Sequence, residues 1–189
     1  MKKILNDPYR YVDELLDGMV LAHPQFYRKV GDGRVIARPG TPRAGKVGVV
    51  SGGGSGPLPV FPGYGGPGLL AACAVGDVFS SPSADQMADA IRAANAGTGV
   101  LRLYGNYGGD IMNFDMAGDI VEMEDIRTTT VILADDVASA PTAEAEKRRG
   151  VAGMVYAFKI AGAAAEAGLD LDGVTAVAQA AADACRSVG

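Results

Sequence analysis

The stretch Val47-Gly48-Val49-Val50-Ser51-Gly52-Gly53-Gly54-Ser55-Gly56-Pro57 decides the fold: an apolar, β-branched run breaks off into glycines interleaved with two hydroxyls. Such a run suits a strand buried on both faces. Where the glycines begin, the backbone can take positive φ and approach a ligand closely, because no Cβ obstructs it. In an open α/β sheet the carboxyl end of a parallel strand is where small molecules bind. The alternative is a plain flexible loop.

Outward from that strand, length and composition favour one α/β domain. The 189 residues are 48% apolar, with 27 glycines, few aromatics and no Trp, so helices and strands should pack through small side chains. A net charge of −5 removes the broad basic surface that nucleic acid requires. The basic run Lys147-Arg148-Arg149, flanked by Glu144 and Glu146, reads as a solvated helix entry. Cys73 and Cys185 have neither CxxC spacing nor a disulfide framework, which fits a reducing cytoplasm. Asn6-Asp7-Pro8 interrupts the charged start before any signal-like apolar region, and no stretch reaches the ~20 apolar residues of a membrane helix. A cytoplasmic protein without membrane contact is expected.

Asp7-Pro8 predicts a helix start whose stripe is Val12, Leu15, Leu16, Met19 and Val20, ending before Pro24. His23, the only histidine, sits at that end and reads as a helix-terminal residue facing unpaired carbonyls. Gly40 to Val47 has the GxxxxGK spacing of a phosphate loop, but Val47 replaces the Mg²⁺-binding hydroxyl and a strand follows where a helix is needed. Gly63, Gly65 and Gly68 satisfy GxGxxG without a preceding strand, so that segment reads as a wall over the ligand loop. Ser83 and Gln86 predict a capping box, and Gly97 a C′ residue.

Two further strands, Gly99 to Tyr104 and Thr128 to Ala134, end in polar loops. The first runs into Gly105-Asn106-Tyr107-Gly108-Gly109-Asp110 ahead of a helix from about Met112 to Met123, so two glycine-rich strand ends can form one crevice. Asp110 is then either an acid or base or the N-cap of that helix. The second ends in Asp135-Asp136, paired carboxylates that suit a metal, a sugar hydroxyl or a capped turn. Arg149 to Gly153 opens a helix through Ala167, and a last helix runs from about Asp172 to Arg186.

The order of these pieces resembles the N-terminal half of the K subunit of dihydroxyacetone kinase (glycerone kinase). The shared stretches are Lys2 to Pro8, Ala22-His23-Pro24, Ser51 to Gly56, Gly76 to Ser83, Asn106 to Asp110 with Asn113-Phe114, Asp135-Asp136-Val137 and Arg148 to Gly153. The resemblance implies that residues 1–189 form one K-type domain: a mixed, mostly parallel β-sheet with helices on both faces, usually followed by a second K half and acting as a homodimer. It implies a ketose kinase of carbohydrate and glycerol metabolism, inactive as an isolated domain. The phosphoryl group would come from an L-type partner that holds ATP and Mg, or ADP recharged by the phosphotransferase system; this chain itself would bind no cofactor or metal. Asp110 matches the family's proton acceptor and Gly54 its backbone contact to the sugar, with Ser51, Gly53, Ser55, Gly105 and Asn106 completing the expected substrate site.

Two positions depart from the family pattern. Pro57-Leu58-Pro59 stands where the family has His-Glu-Pro, and Gly105 where it has a lysine; the histidine that bonds the substrate carbonyl belongs to the second half. The expected consequence is a larger or differently oriented substrate, such as a tetrulose, with extra room at Gly105 and Gly108 and with Tyr64, Arg102 or Tyr104 replacing the lost contacts. A regulatory or ligand-sensing K-like module is the alternative.

Overall fold

Strand β3 (Gly48–Gly53) is the expected central strand, and each of its residues is buried. In the computed structural model, which describes residues 4–31, 33–56 and 61–189, it lies between β4 (Ala72–Val75) and β5 (Val100–Gly105), parallel to both. Beyond β5, β6 (Thr128–Leu133) adds in parallel. On the other side β2 (Val35–Ala37) pairs antiparallel with β4, and β1 (Arg28–Lys29) antiparallel with β2. The sheet order is β1-β2-β4-β3-β5-β6, mixed and mostly parallel as expected.

Alternation along the strands divides the core in two. Val49, Cys73, Val75, Leu101, Leu103 and Leu133 face one side, where α1 (Tyr11–Ala22), α4 (Gly153–Ala167) and α5 (Leu171–Ala184) pack. Val50, Ala72, Ala74, Val100 and Tyr104 face the other, under α2 (Ala84–Ala94) and α3 (Gly108–Glu122). Small residues set the spacing between layers. A Cβ on Gly48 would lie 2.6 Å from the Ala94 carbonyl oxygen, and one on Gly162 of α4 would lie 2.4 Å from backbone atoms of Gly68 and Leu69. Helix starts follow the sequence signals. Asp7 accepts from the Tyr9 amide at 2.9 Å and opens a 3₁₀ turn, Pro8–Arg10, that leads into α1; Ser83 and Gln86 close a complete capping box on α2; Asp170 caps α5.

Three local expectations change, and one strand appears where the sequence reading assigned no element. The small apolar stretch after Leu69 contains β4, which lies inside the sheet. Helix α2 ends at Asn95, and Gly97 lies one residue beyond C′ at φ 87°. His23 serves the end of α1 through its backbone, whose N–H donates to the Met19 carbonyl, while its ring sits beside Phe26 and Tyr27. Of the basic run Lys147, paired with Glu144 in the 3₁₀ turn Thr142–Lys147, and Arg149 are exposed. Arg148 is buried and donates to the Ala140 carbonyl. Neither decoy motif meets a helix: residues 40–47 lead into β3, and a 3₁₀ turn, Pro62–Tyr64, overlaps the GxGxxG spacing. Among the described residues no helix is long and apolar enough to cross a membrane.

Candidate functional site

Because β3, β4, β5 and β6 run in parallel, their carboxyl ends deliver the following loops to one edge of the sheet. There the loops and the start of α4 enclose a cleft of about 760 Å³. Its lining comes from the loop after β3 (Gly54), the loop after β4 (Phe79, Ser81), the turn after β5 (Tyr107, Asp110) and the start of α4 with the turn before it (Arg149, Val151, Met154, Phe158), together with Phe61 and Tyr64. The two expected glycine-rich strand ends thus share one hollow.

Asp110 is 5% exposed, and among the described residues its Oδ1 has no hydrogen-bond partner. Helix α3 starts about four residues earlier than expected, so Asp110 is its third residue while Tyr107 occupies the cap. The N-cap alternative is therefore excluded, and the carboxylate is left free in the first turn, where the helix's amide end favours negative charge. Burial pushes its pKa upward, and the Ser81 hydroxyl beside it opposes that shift. Tyr107 turns across the cleft floor and its hydroxyl donates to the Gly150 carbonyl at 2.9 Å.

The loops after β3 and β4 are tied to each other. The Asp77 carbonyl accepts the amides of both Ser55, at 3.0 Å, and Ser80, at 3.1 Å. The Asp77 carboxylate meets Arg34 at 2.8 Å, and Arg34 is held in turn by Asp13 at 2.6 Å. A Cβ on Gly54 would come within 3.1 Å of the Ser80 nitrogen, so glycine is what lets the two loops touch.

A family model, the Dak1 domain, matches residues 17–189. The chain belongs to the Dak1 family. It is 47% identical over 189 residues to the D-erythrulose kinase of Mycolicibacterium smegmatis, covering all of this chain and 32% of that protein. To the dihydroxyacetone-binding subunit DhaK of PTS-dependent dihydroxyacetone kinase 1 of Listeria innocua it is 46% identical over 179 residues, covering 95% of this chain and 54% of that one. The native crystal structure of the dihydroxyacetone kinase of C. freundii matches with a TM-score of 0.87 at 34% identity, over 96% of this chain and 33% of that one. The chain thus spans about half or less of the length of these relatives.

Other residues singled out in the sequence are placed differently in this Dak1 domain. Ser51, Gly53, Ser55, Gly105 and Asn106 do not line the cleft. Ser51 and Ser55 are buried with hydroxyls that have no partner among the described residues, and Gly53 lies against the Phe61 ring, where a Cβ would come within 2.6 Å. The room expected at Gly105 is filled: a Cβ there would lie 2.9 Å from the Tyr107 ring and 3.0 Å from the Met154 sulfur. Asn106 turns its amide to the carbonyls of Glu146 and Arg148, at 2.7 and 2.8 Å. Arg102 donates to the Phe114 carbonyl, and Tyr104 is stacked on the Phe114 ring at 4.3 Å, so of the three proposed substitutes only Tyr64 reaches the cleft. Residues 57–59, which replace the family's His-Glu-Pro, lie outside the described residues.

Asp135 and Asp136 follow the capped-turn alternative. Asp135 accepts from the amides of Val151 at 3.0 Å and Gly153 at 2.8 Å and from the Ser187 hydroxyl, which secures the start of α4 to the end of β6. Asp136 accepts from the amides of Ala138 and Gly189 and from Arg149. Desolvation alone would raise the Asp136 pKa; the Gly189, Arg149 and Ala138 donors outweigh it and hold the carboxyl below its usual range. The sequence reading missed the α4 wall, because Val151 to Phe158 reach the site only through this long-range tie.

Proposed function

We propose that this domain forms the sugar site of a kinase that phosphorylates a hydroxyl of a short ketose, dihydroxyacetone or a four-carbon relative such as erythrulose. The observation that carries the reading is the buried Asp110 carboxylate, one oxygen of which is unpartnered among the described residues, in the cleft that Gly54 lines. A ketose hydroxyl donates to that oxygen. As the hydroxyl oxygen attacks phosphorus, its proton passes to Asp110, a base made stronger by its desolvation. Gly54 brings the backbone close to the sugar. Both kinds of ketose kinase among the relatives support the substrate class, and the cleft volume, in the range of sites for drug-sized ligands, supports a substrate larger than a triose.

The reading extends to the whole protein. Residues 1–189 are then the N-terminal half of a K-type unit, without a cofactor of its own, in a cytoplasmic homodimer serving glycerol and ketose metabolism. An L-type domain or subunit holding ATP and Mg, or ADP, donates the phosphoryl group. Calorimetric titration with dihydroxyacetone, D-erythrulose and L-erythrulose ranks the substrates, and tighter binding of an erythrulose is the expected order. With its second K half, an L-type partner and ATP supplied, Asp110→Asn should lower ketose phosphorylation about 10²- to 10⁴-fold. Full turnover by that variant would refute the assignment; partner binding without turnover on any ketose would point to the regulatory alternative.

A further inference from the structure

The cleft contains one charged group that the ketose reading leaves unused. Arg149 lines the same cleft as Asp110, from the turn before α4. Its Nε and Nη2 both donate to Asp136 Oδ2, at 3.2 and 2.8 Å, and among the described residues its Nη1 has no partner. The side chain is 53% exposed, whereas Asp136 beneath it is fully buried. Asp135, the other nearby carboxylate, is 1% exposed and fully bonded. The charge met from inside the cleft on this side is therefore positive, although two carboxylates lie behind it.

This anchoring differs from that of an ordinary surface arginine. A buried, ionised carboxylate fixes one edge of the guanidinium and leaves the other edge facing the hollow, so little rotamer freedom remains to be lost on binding. The fifteen-residue helix α4 begins four residues later and adds its positive end to the same region. Val151, Met154 and Phe158 supply an apolar surround in which a charged hydrogen bond is stronger than in water. A planar fork with free N–H groups suits the oxygens of a phosphoryl group, and a neutral sugar would not require its charge.

We propose that Arg149 binds the phosphoryl group in this cleft, holding its non-bridging oxygens while Asp110 receives the proton. The inference rests on the ketose kinase reading and assigns the opposite end of the same reaction. In the transfer, the ketose oxygen forms a bond to phosphorus, the bond from phosphorus to the leaving oxygen of a phosphoric anhydride donor breaks, and that oxygen keeps the electron pair. Arg149 makes and breaks no covalent bond; it stabilises charge on the three equatorial oxygens.

The test compares phosphorylated and plain ligands. Dihydroxyacetone, dihydroxyacetone phosphate and inorganic phosphate are titrated into the chain while the Arg149 side-chain ¹⁵N signal and the amides of residues 150–155 are followed by NMR. Both phosphorylated probes should shift these signals. Arg149→Gln should weaken dihydroxyacetone phosphate at least tenfold and dihydroxyacetone less than twofold, and Arg149→Lys should recover part of the difference. Arg149→Gln combined with Asp136→Asn removes the buried charge that the single change would strand, and should show the same selective loss in a chain that stays folded. Equal loss of both ketoses, or no loss of the phosphate ester, would overturn the role of Arg149 and leave the ketose reading standing. Phosphate binding at Arg149 without binding of any ketose would uphold the anion site and sink the ketose reading.

Discussion

Replacing Asp135 by alanine tests whether the α4 wall is held as the structure indicates. The change removes an acceptor from the amides of Val151 and Gly153 and from the Ser187 hydroxyl, all at a position that is 1% exposed. A buried donor left unsatisfied costs about 1–3 kcal/mol; the Gly153 amide is buried and the other two donors are part-buried, so the expected loss is about 2–4 kcal/mol. That is a large fraction of the roughly 5–15 kcal/mol that stabilises a domain. Asp135→Asn keeps one acceptor oxygen, and the serine hydroxyl can rotate to accept from the new amide, so the expected cost falls to about 1–2 kcal/mol. Urea unfolding measures both changes, and hydrogen exchange at Val151 and Gly153 reports the local consequence. Loss of protection there should exceed any loss in β3. A cost below about 1 kcal/mol for Asp135→Ala, with both amides still protected, would refute the tie between β6 and α4.

Burial raises the Asp110 pKa, so the folded state favours its neutral form, and the group's stabilising contribution is present at low pH and lost as pH rises from its ordinary 3.8 through the raised value. The stability of Asp110→Asn relative to the unaltered chain should therefore increase across that interval, and unfolding at a series of pH values would show it; a gap that shrinks with rising pH contradicts the argument. Gly105→Lys, which supplies the family's lysine, should cost about 1–3 kcal/mol because its Cβ meets Tyr107 and Met154. Adding Met154→Ala should recover part of that cost, and thermal unfolding of the single and double variants checks the coupling.

The sheet and its ligand edge were legible because the signals are local. Val47 to Val50 is followed by glycines, Ser83 to Gln86 carries a capping box, and Asp7-Pro8 opens a helix, each within a few residues. Strand β4 escaped because Ala72-Cys73-Ala74-Val75 has almost no β-branched character; its two paired neighbours and the layers above and below hold it in place. Asn106 sits where a sugar-binding amide would be expected, but its partners are carbonyls 40 and 42 residues away. Arg149 looked like one member of a solvated basic run, and only the buried Asp136 distinguishes it from Lys147. Gly105 suggested space, which a ring from position 107 and a sulfur from α4 occupy.

The shared Asp77 carbonyl limits how this cleft can diverge. Since Ser55 and Ser80 depend on the same oxygen, lengthening either loop to admit another sugar would disturb its neighbour as well, so those two loops can change only together. The Asp135 tie fixes where α4 begins, but Met154, Val155 and Phe158 line the hollow from within that helix, which has its own internal hydrogen bonds, so each can change singly. New sugar preferences in proteins built on this frame are therefore expected to accumulate along that one helical edge.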